Sequence, residues 1–256
     1  MTNPTPTGAL VLVPNTLDLG ADTTPLQDVL PLGVLQRAAA LTHWAAEDAR
    51  SLRALLKRVD AIVPLAQPLQ AQHIVELPRP RKGSREAVPA AEWKALLAPA
   101  LAGHDLGLVS EAGLPAVADP GAALVEAAHA AGVPVLALPG PSSLLLALAA
   151  SGLNGQSFAF VGYLPQDAAA RTARLRELEA LSRRQQQTQL FIETPYRNAA
   201  LLSGLLAALN PGTRLSVACG LTLAGGWTRT DTVARWRERP AQMPDKLPAV
   251  FGLLAG

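Results

Sequence analysis

The chain has 256 residues, of which 49% are hydrophobic and 16% are charged, and its formal net charge is +2. This length allows one large domain or two modest ones, with enough buried surface to fold without disulfide or metal cross-links. The single cysteine, Cys219, excludes an internal disulfide. One cysteine and four scattered histidines also lack the spacing of zinc ligands.

Short apolar segments alternate with helical patterns through the first half of the chain. The predicted strands are Leu10–Val13, His43–Ala46 and Leu106–Val109, and the predicted helices are Gly33–Leu41, Ala49–Arg58, Ala90–Leu101 and Pro120–Ala131. The proline- and glutamine-rich segment Ile62–Leu77 gives only weak support for a further strand. This alternation predicts a wound α/β domain with a mostly parallel sheet.

A long uncharged stretch, Ala130–Gln166, raises the question of a membrane span. Its longest uninterrupted apolar run, Leu144–Ala150, is much shorter than the about 20 residues that a spanning helix needs. The stretch instead predicts a buried strand, a tight turn and a small-residue helix, at Val133–Leu138, Pro139–Pro141 and Ser142–Ser151. The amino terminus also lacks a basic segment followed by an apolar one, the pattern of a signal peptide. We therefore expect a soluble cytoplasmic protein.

A second unit of strands and helices follows. The predicted strands are Phe158–Tyr163, Leu190–Ile192, Leu215–Ala218, Trp227–Thr230 and Val250–Leu254, and the main predicted helices are Ala168–Ser182 and Arg197–Leu209. We expect an N-terminal α/β domain over 1–156, with a mostly parallel sheet, and a C-terminal α/β domain over 157–256, with a mixed sheet.

The distribution of charge follows the same division. Residues 1–158 carry 10 basic and 13 acidic residues, a net charge of −3, whereas residues 159–256 carry 12 and 7, a net charge of +5. Arginines predominate among the basic residues, and their planar guanidinium groups suit phosphate contacts. Coding composition explains the same excess, so charge alone does not indicate a nucleic-acid partner.

The segment Ser110–Gly121 is the richest in polar and conformationally special residues. It follows a predicted central strand, and open α/β sheets bind their ligands at the carboxyl ends of strands. Glu111 and Asp119 can accept hydrogen bonds from hydroxyl or amino groups, and Gly113 permits close approach of the backbone. Asp119 fits equally well as the cap of a helix that begins at Pro120.

Three other segments carry polar residues at strand ends. The turn Pro139–Ser143 leads into a helix whose backbone N–H groups are available to a polar ligand, with Ser142 as a possible cap. Glu47 and Asp48, followed by Arg50, are better explained as the acidic start of a helix than as a site. The segment Glu193–Asn198 is likewise more typical of a salt-bridged corner. The dinucleotide-binding glycine fingerprint is absent after the first strand.

Taken together, these segments resemble a known family. SEAGLPAVADPG, LPGPSS followed by SGL, SFAFVGYLP, AEDAR and FIETPYRN match, in order and spacing, motifs of the tetrapyrrole (corrin/porphyrin) methylase superfamily. The most similar branch is the ribosomal small-subunit methyltransferase I family, which 2′-O-methylates a cytidine ribose of 16S rRNA. The resemblance covers about residues 9 to 254. It implies two α/β domains with S-adenosylmethionine in the cleft between them, a homodimer, and rRNA or the small ribosomal subunit as partner.

The resemblance also implies roles for individual residues. The expected cofactor-binding residues are Pro14, Ser110, Glu111, Ala112, Gly113, Pro115, Gly140, Ser142, Ser143, Pro165, Ala218 and Thr222. The candidate general bases are Glu47, Asp119 and Glu193, with Asp48 and Glu111 as further carboxylates. The candidate substrate contacts are Arg50, Arg79, Arg81, Lys82, Tyr196 and Arg197. No metal is expected.

The chain departs from the rRNA branch in its first loop. That branch opens with a proline–threonine–proline–isoleucine–glycine–asparagine stretch, whereas this chain has Pro14-Asn15-Thr16-Leu17-Asp18, and Glu111 replaces the usual aspartate. The departure leaves two alternatives open. One is a methylase of a tetrapyrrole or another small acceptor, and the other is a catalytically silent regulator that binds S-adenosylmethionine.

Overall fold

The computed structural model describes residues 7–18, 20, 24–80 and 87–256. The chain divides into two compact units, Met1–Pro141 and Ser142–Gly256. Each unit contains one five-stranded sheet with helices packed on it, which confirms the predicted α/β fold class.

The sheet of the first unit is entirely parallel. Its strands are β1 (Leu10–Leu12), β2 (His43–Ala46), β3 (His73–Glu76), β4 (Leu106–Val109) and β5 (Val135–Ala137), and its helices are α1 (Leu32–Ala40), α2 (Ala49–Asp60), α3 (Ala90–Leu96), α4 (Ala98–Leu101) and α5 (Ala122–Ala130). The strand order is β3-β2-β4-β1-β5, so β1 lies between β4 and β5. With every strand pointing the same way, the loops after β1, β2, β4 and β5 meet at one edge.

Both faces of this sheet are covered by apolar residues. Strand β4 is buried along its whole length, as expected for a central strand of a doubly covered parallel sheet. Gly107 in that strand has no room for a side chain because the Trp44 ring lies against it. Helix α2 buries its leucines and Val59 and leaves Arg50, Arg53, Lys57 and Asp60 exposed, which is the amphipathic pattern expected from its sequence.

All four helices predicted in the first unit differ from their observed bounds, and two of these differences arise at a proline or a glycine. The predicted helix Ala90–Leu101 is two helices, α3 and α4, which meet at Leu97 just before Pro99. Pro99 lies in the first turn of α4, where its missing N–H cannot continue the hydrogen bonding of α3. Helix α5 begins at Ala122 and not at Pro120, because Gly121 has a φ of 130° and serves as the N-cap without any side-chain cap bond. The interpretation of Asp119 as a helix cap is therefore wrong.

The sheet of the second unit is mixed. Its strands are β6 (Phe158–Tyr163), β7 (Thr188–Glu193), β8 (Arg214–Cys219), β9 (Trp227–Thr232) and β10 (Ala249–Leu254), and its helices are α6 (Ser143–Ser151), α7 (Ala168–Gln185), α8 (Asn198–Ala208) and α9 (Val233–Glu238). The order is β6-β7-β10-β8-β9, with β6 and β7 parallel and the other three pairs antiparallel. Strands β6, β7 and β8 consequently end at the same edge.

The division between the units falls earlier than the expected boundary at 156/157. Helix α6 belongs to the second unit because it packs on β8 and β10. Its residues Leu144 and Ala147 form an apolar cluster with Ala218 and Val250 of those strands. Ser142 is the N-cap residue of α6, but its side chain makes no cap hydrogen bond, so the expected cap is not formed.

Three histidines form a stack at the amino edge of the first sheet. The ring of His43, at the start of β2, lies 4.7 Å from that of His73 and 5.1 Å from that of His104. Burial and the two neighbouring imidazoles lower the pKa of His43. Within the described ranges, no group of histidine, cysteine and acidic residues has the arrangement of a metal site. No helix in that part of the chain has the length and apolar sequence to cross a membrane.

Candidate functional site

The loop after β1 is held directly against the loop after β4. The Asn15 side-chain Nδ2 donates to the carbonyl oxygens of Ser110 (3.2 Å) and Glu111 (3.0 Å). The Asn15 amide donates to the Gly113 carbonyl at 2.9 Å, and the Gly113 amide donates to the Thr16 carbonyl at 3.2 Å. These four hydrogen bonds fix the two loops relative to each other at the carboxyl edge of the sheet.

The two glycines of the site allow these loops to pack together. Gly113 has a φ of +67°, and a Cβ there would lie 3.3 Å from the Pro141 carbonyl oxygen, in the loop after β5. A Cβ on Gly140 would overlap the Pro14 ring. Because each glycine faces another loop, its role in the structure is to bring the β1, β4 and β5 loops together.

The segment between β4 and α5 is conformationally strained. Ala116 and Ala118 have φ values of 65° and 64°, in the left-handed region that residues with a side chain rarely adopt. Strained residues of this kind cluster at functional sites, where the surrounding structure holds them in place. Asp119 follows directly after them and is half-buried.

Three carboxylates, Glu47, Glu111 and Asp119, lie near one another at this edge of the sheet. The Glu111 amide donates to Glu47 Oε2 at 3.1 Å, and Arg79 Nη2 donates to the Glu47 carbonyl oxygen at 2.8 Å. Asp48 is the N-cap of α2 and accepts from the Ser51 amide at 2.7 Å. That backbone hydrogen bond lowers the pKa of Asp48, so its carboxylate serves the helix start.

Asp119 has the most perturbed acidity of the three. Burial, followed by the charges of Glu47 and Glu111, raises the pKa of Asp119 from 3.8 to about 7. Burial and the neighbouring acids Glu47 and Asp48 also raise the pKa of Glu111, although Arg79 opposes the change. A carboxyl group that titrates near neutral pH is suited to accept a proton from a substrate hydroxyl.

Two cavities of the first unit open beside these carboxylates. The first, of about 650 Å³, is mostly apolar, and we call it the Trp93 cavity; its walls include Leu77, Pro78, Val88 and Trp93, and its polar lining residues are Glu47, Arg79, Asp119 and Glu126. The second, of about 800 Å³, is the α2 cavity; it is lined by Asn15, Thr16 and Glu111 and by one face of α2 that carries Arg50, Lys57 and Arg58.

One polar group at the site is left without a partner. Ser110 is buried, and within the described residues its Oγ makes no hydrogen bond. A buried hydroxyl without a partner is unfavourable by about 1–3 kcal/mol. A polar ligand at the end of β4 would satisfy it.

The sequence of this chain matches a protein-family model over most of its length. The model of the tetrapyrrole (corrin/porphyrin) methylases matches residues 34–235. The chain belongs to this family. The match includes the ends of β2 and β4 and the strained segment that precedes Asp119.

Relatives of this chain include ribosomal RNA small subunit methyltransferase I of two bacteria. The Vibrio cholerae protein is 41% identical over 122 residues, which are 48% of this chain and 41% of that protein. The Mesorhizobium japonicum protein is 34% identical over 212 residues, 82% of this chain and 65% of that protein. The chain thus spans less than two thirds of the length of either relative.

A solved structure shares the fold of this chain. The uroporphyrin-III C-methyltransferase of Thermus thermophilus, complexed with S-adenyl homocysteine, is 18% identical to this chain with a TM-score of 0.52. The comparison covers 96% of this chain and 97% of the Thermus chain.

The residues expected at the site in the second unit lie at the carboxyl ends of its strands. Pro165 follows β6, Glu193 ends β7, and Thr222 follows β8, on which Ala218 lies. Ala249 of β10 pairs with both Glu193 and the last residue of β8, so the ends of β7 and β8 are at the same level. Thr222 has a φ of 67°.

Glu193 is held in a tightly bonded corner. Its Oε1 accepts from the Thr194 amide at 2.7 Å and from Arg197 at 3.0 Å (Nε) and 2.6 Å (Nη2). The Glu193 side chain is only 3% exposed, so the corner is a buried ion pair. The Tyr196 ring, 5.5 Å from the Arg197 guanidinium carbon, is exposed. These contacts indicate that Glu193 stabilises the turn after β7.

The remaining expected residues are divided among several places. Arg50 lines the α2 cavity, Arg79 lines the Trp93 cavity, and Arg81 and Lys82 lie outside the described residues. Ala112 and Pro115 belong to the loop after β4, and Ser143 begins α6. Sequence reasoning missed Asn15, Lys57 and Trp93. Of these, only Lys57 had a signal, because it lies seven residues after Arg50 and so on the same face of a helix.

Proposed function

We propose that this protein is an S-adenosylmethionine-dependent methyltransferase that methylates a ribose 2′-hydroxyl of ribosomal RNA. The observation that carries the proposal is Asp119, a carboxyl group with a pKa of about 7 placed beside an apolar cavity. The relatives named ribosomal RNA small subunit methyltransferase I support the acceptor. The family, and the Thermus enzyme complexed with S-adenyl homocysteine, support the cofactor. A cytoplasmic homodimer is part of the same proposal.

The residues of the first unit fit this cofactor. The unpartnered Ser110 Oγ and the polar backbone between Ser110 and Gly113 would hold its polar groups. The β1, β4 and β5 loops are already fixed to one another, so this edge needs no rearrangement to bind. When bound, S-adenosylmethionine supplies an electrophilic methyl group on its sulfonium.

The protein residues then position and activate the acceptor. A ribose hydroxyl is a poor nucleophile, and Asp119 accepts its proton as the oxygen attacks, an effect worth about 10²–10⁴-fold in rate. Burial, together with the charges of Glu47 and Glu111, keeps the pKa of Asp119 near neutrality, which makes it an effective base under cellular conditions. The apolar walls of the Trp93 cavity make the surroundings of the carboxyl group less polar, and Arg79 holds the backbone of Glu47.

The experiment is methyl transfer with radiolabelled S-adenosylmethionine. The acceptors are small ribosomal subunits from a strain lacking the gene, naked 16S rRNA and uroporphyrinogen III, followed by mass spectrometry of the nucleosides. We expect one 2′-O-methylated nucleoside from rRNA. Transfer to the tetrapyrrole alone would assign the other acceptor, and tight cofactor binding without transfer would indicate a regulator. Absence of cofactor binding would refute the whole proposal.

A further inference from the structure

One face of α2 brings positive charge into the α2 cavity. Arg50, Ala54, Lys57 and Arg58 all line the cavity. These positions recur at intervals of three, four and seven residues, so they follow one side of the helix. Arg53 is also exposed and lies on the same helix, but it is not among the lining residues.

The three cations of this face are held differently. Arg58 is mostly buried and donates to Asp18 Oδ2 at 3.1 Å and to the Thr24 carbonyl at 2.9 Å, so it ties α2 to the β1 loop. Arg50 and Lys57 are exposed. Among the described residues neither has an ion-pair partner, so both charges are available to a ligand.

The acidic groups of the cavity lie at the start of α2, next to Arg50, and at the end of β4. Asp48 caps the start of α2, and Glu111 lies at the end of β4 beside Glu47. The α2 cavity therefore has carboxylates and Arg50 at the start of α2, and Lys57 and Arg58 farther along the same helix. An acceptor with a neutral hydroxyl and nearby anionic groups matches this order of charges.

We propose that the α2 cavity binds the sugar–phosphate backbone of single-stranded RNA beside the reacting ribose, with Arg50 and Lys57 contacting separate phosphates. The proposal rests on the proposed function and adds the surface that carries the acceptor. The two residues are seven positions apart, about 10 Å along the helix at 1.5 Å per residue. Cations spaced in a line suit an extended polyanion. The guanidinium of Arg50 can bind a phosphate through two parallel hydrogen bonds, and Lys57 acts as a point charge.

The test measures how RNA affinity depends on salt. Fluorescence anisotropy of a labelled single-stranded 16S rRNA oligonucleotide, at several salt concentrations, compares the wild-type protein with Arg50→Gln, Lys57→Gln and the double variant. Each lost phosphate contact reduces the slope of log K against log salt by about 0.7 for a single strand. At 0.1 M salt we therefore expect each single variant to bind about 5-fold more weakly.

A control on the same helix separates this surface from general electrostatics. Arg53→Gln removes the same charge outside the cavity, and we expect its salt slope to equal that of the wild type. S-adenosylmethionine affinity and the melting temperature are measured for every variant, to show that the fold and the cofactor site are intact.

Several results would overturn the proposal. These are absence of RNA binding by the wild-type protein, unchanged slopes in the Arg50 and Lys57 variants, or an equal loss in the Arg53 variant. Competition by uroporphyrinogen III that is weakened by the same two substitutions, with RNA binding unaffected, would reassign the cavity to a polycarboxylate. If the slopes change as expected but no methyl group reaches RNA, this surface stands and the proposed function fails.

Discussion

Replacing Asp119 with asparagine should stabilise the protein at alkaline pH while removing activity. A carboxyl group whose pKa is raised on folding is most compatible with the folded state when it is protonated. Its contribution to stability is therefore present at low pH and is lost as the pH rises from the unfolded pKa through the folded one. For Asp119 this window extends from 3.8 to about 7.

The expected magnitude follows from the width of that window. Each pKa unit corresponds to about 1.4 kcal/mol, so ionising Asp119 in the folded state opposes folding by at most about 4 kcal/mol at pH 8, and by less where solvent screens this half-buried group. The Asp119→Asn side chain carries no charge at any pH and avoids this cost. The stability of the variant relative to the wild type should rise by up to about 4 kcal/mol between pH 4 and pH 8.

The measurement is urea unfolding of both proteins at pH values between 4 and 8. Subtracting one curve from the other removes the titration of all groups that the two proteins share. Asp245→Asn, at an exposed position of the second unit, is the matched control, and we expect no comparable rise. The methyl-transfer rate of Asp119→Asn should fall by about 10²–10⁴-fold. A stability difference between Asp119→Asn and wild type that stays constant with pH would refute the reasoning.

Three further substitutions test other contacts. Glu47→Gln removes the larger of the two charge contributions to the raised pKa of Asp119, so the acid limb of the activity–pH profile should move to lower pH; an unmoved limb would exclude the coupling. Arg197→Met leaves the buried Glu193 carboxylate unpaired and should reduce the free energy of unfolding by about 3–5 kcal/mol in urea melts. The double variant with Glu193→Gln should recover part of that loss, and no recovery would contradict the ion pair. His43→Asn removes a group whose pKa is lowered on folding. The wild-type protein should lose stability as the pH falls below 6.5, and the variant should lose less. Equal melting-temperature changes in both proteins between pH 7.5 and 5.5 would contradict this.

The periodicity of the sequence predicted the regular elements well. Strands β2, β4 and β6 have the predicted bounds, because the short length of these apolar runs and the residues that flank them favour a strand over a buried helix. The predicted start of α5 at Pro120 was wrong because it relied on the preference of proline for the first position of a helix, which is only a local tendency. The path before α5 is instead set by Ala118 and Gly121, whose positive φ values depend on the packing of the loop.

The chemistry of the site was only partly accessible from the sequence. The segment around Glu111 and Asp119 could be recognised as a site because its composition exceeds what a turn requires. The pKa of Asp119 could not be predicted, because it depends on burial and on Glu47, which comes from a different strand. The bridging role of Asn15 was also hidden, since the familiar signal at a first strand is glycine and this loop is fixed by a side-chain amide.

The packing of the three loops at the edge of the first sheet has an evolutionary consequence. Their arrangement depends on Asn15, Gly113 and Gly140, whereas the proton chemistry depends on Glu47 and Asp119. Because shape and reactivity are encoded by different residues, mutations in one set can accumulate without dismantling the other. A lineage can then exchange one methyl acceptor for another through changes in a few carboxylates and cavity walls, on a scaffold that stays the same.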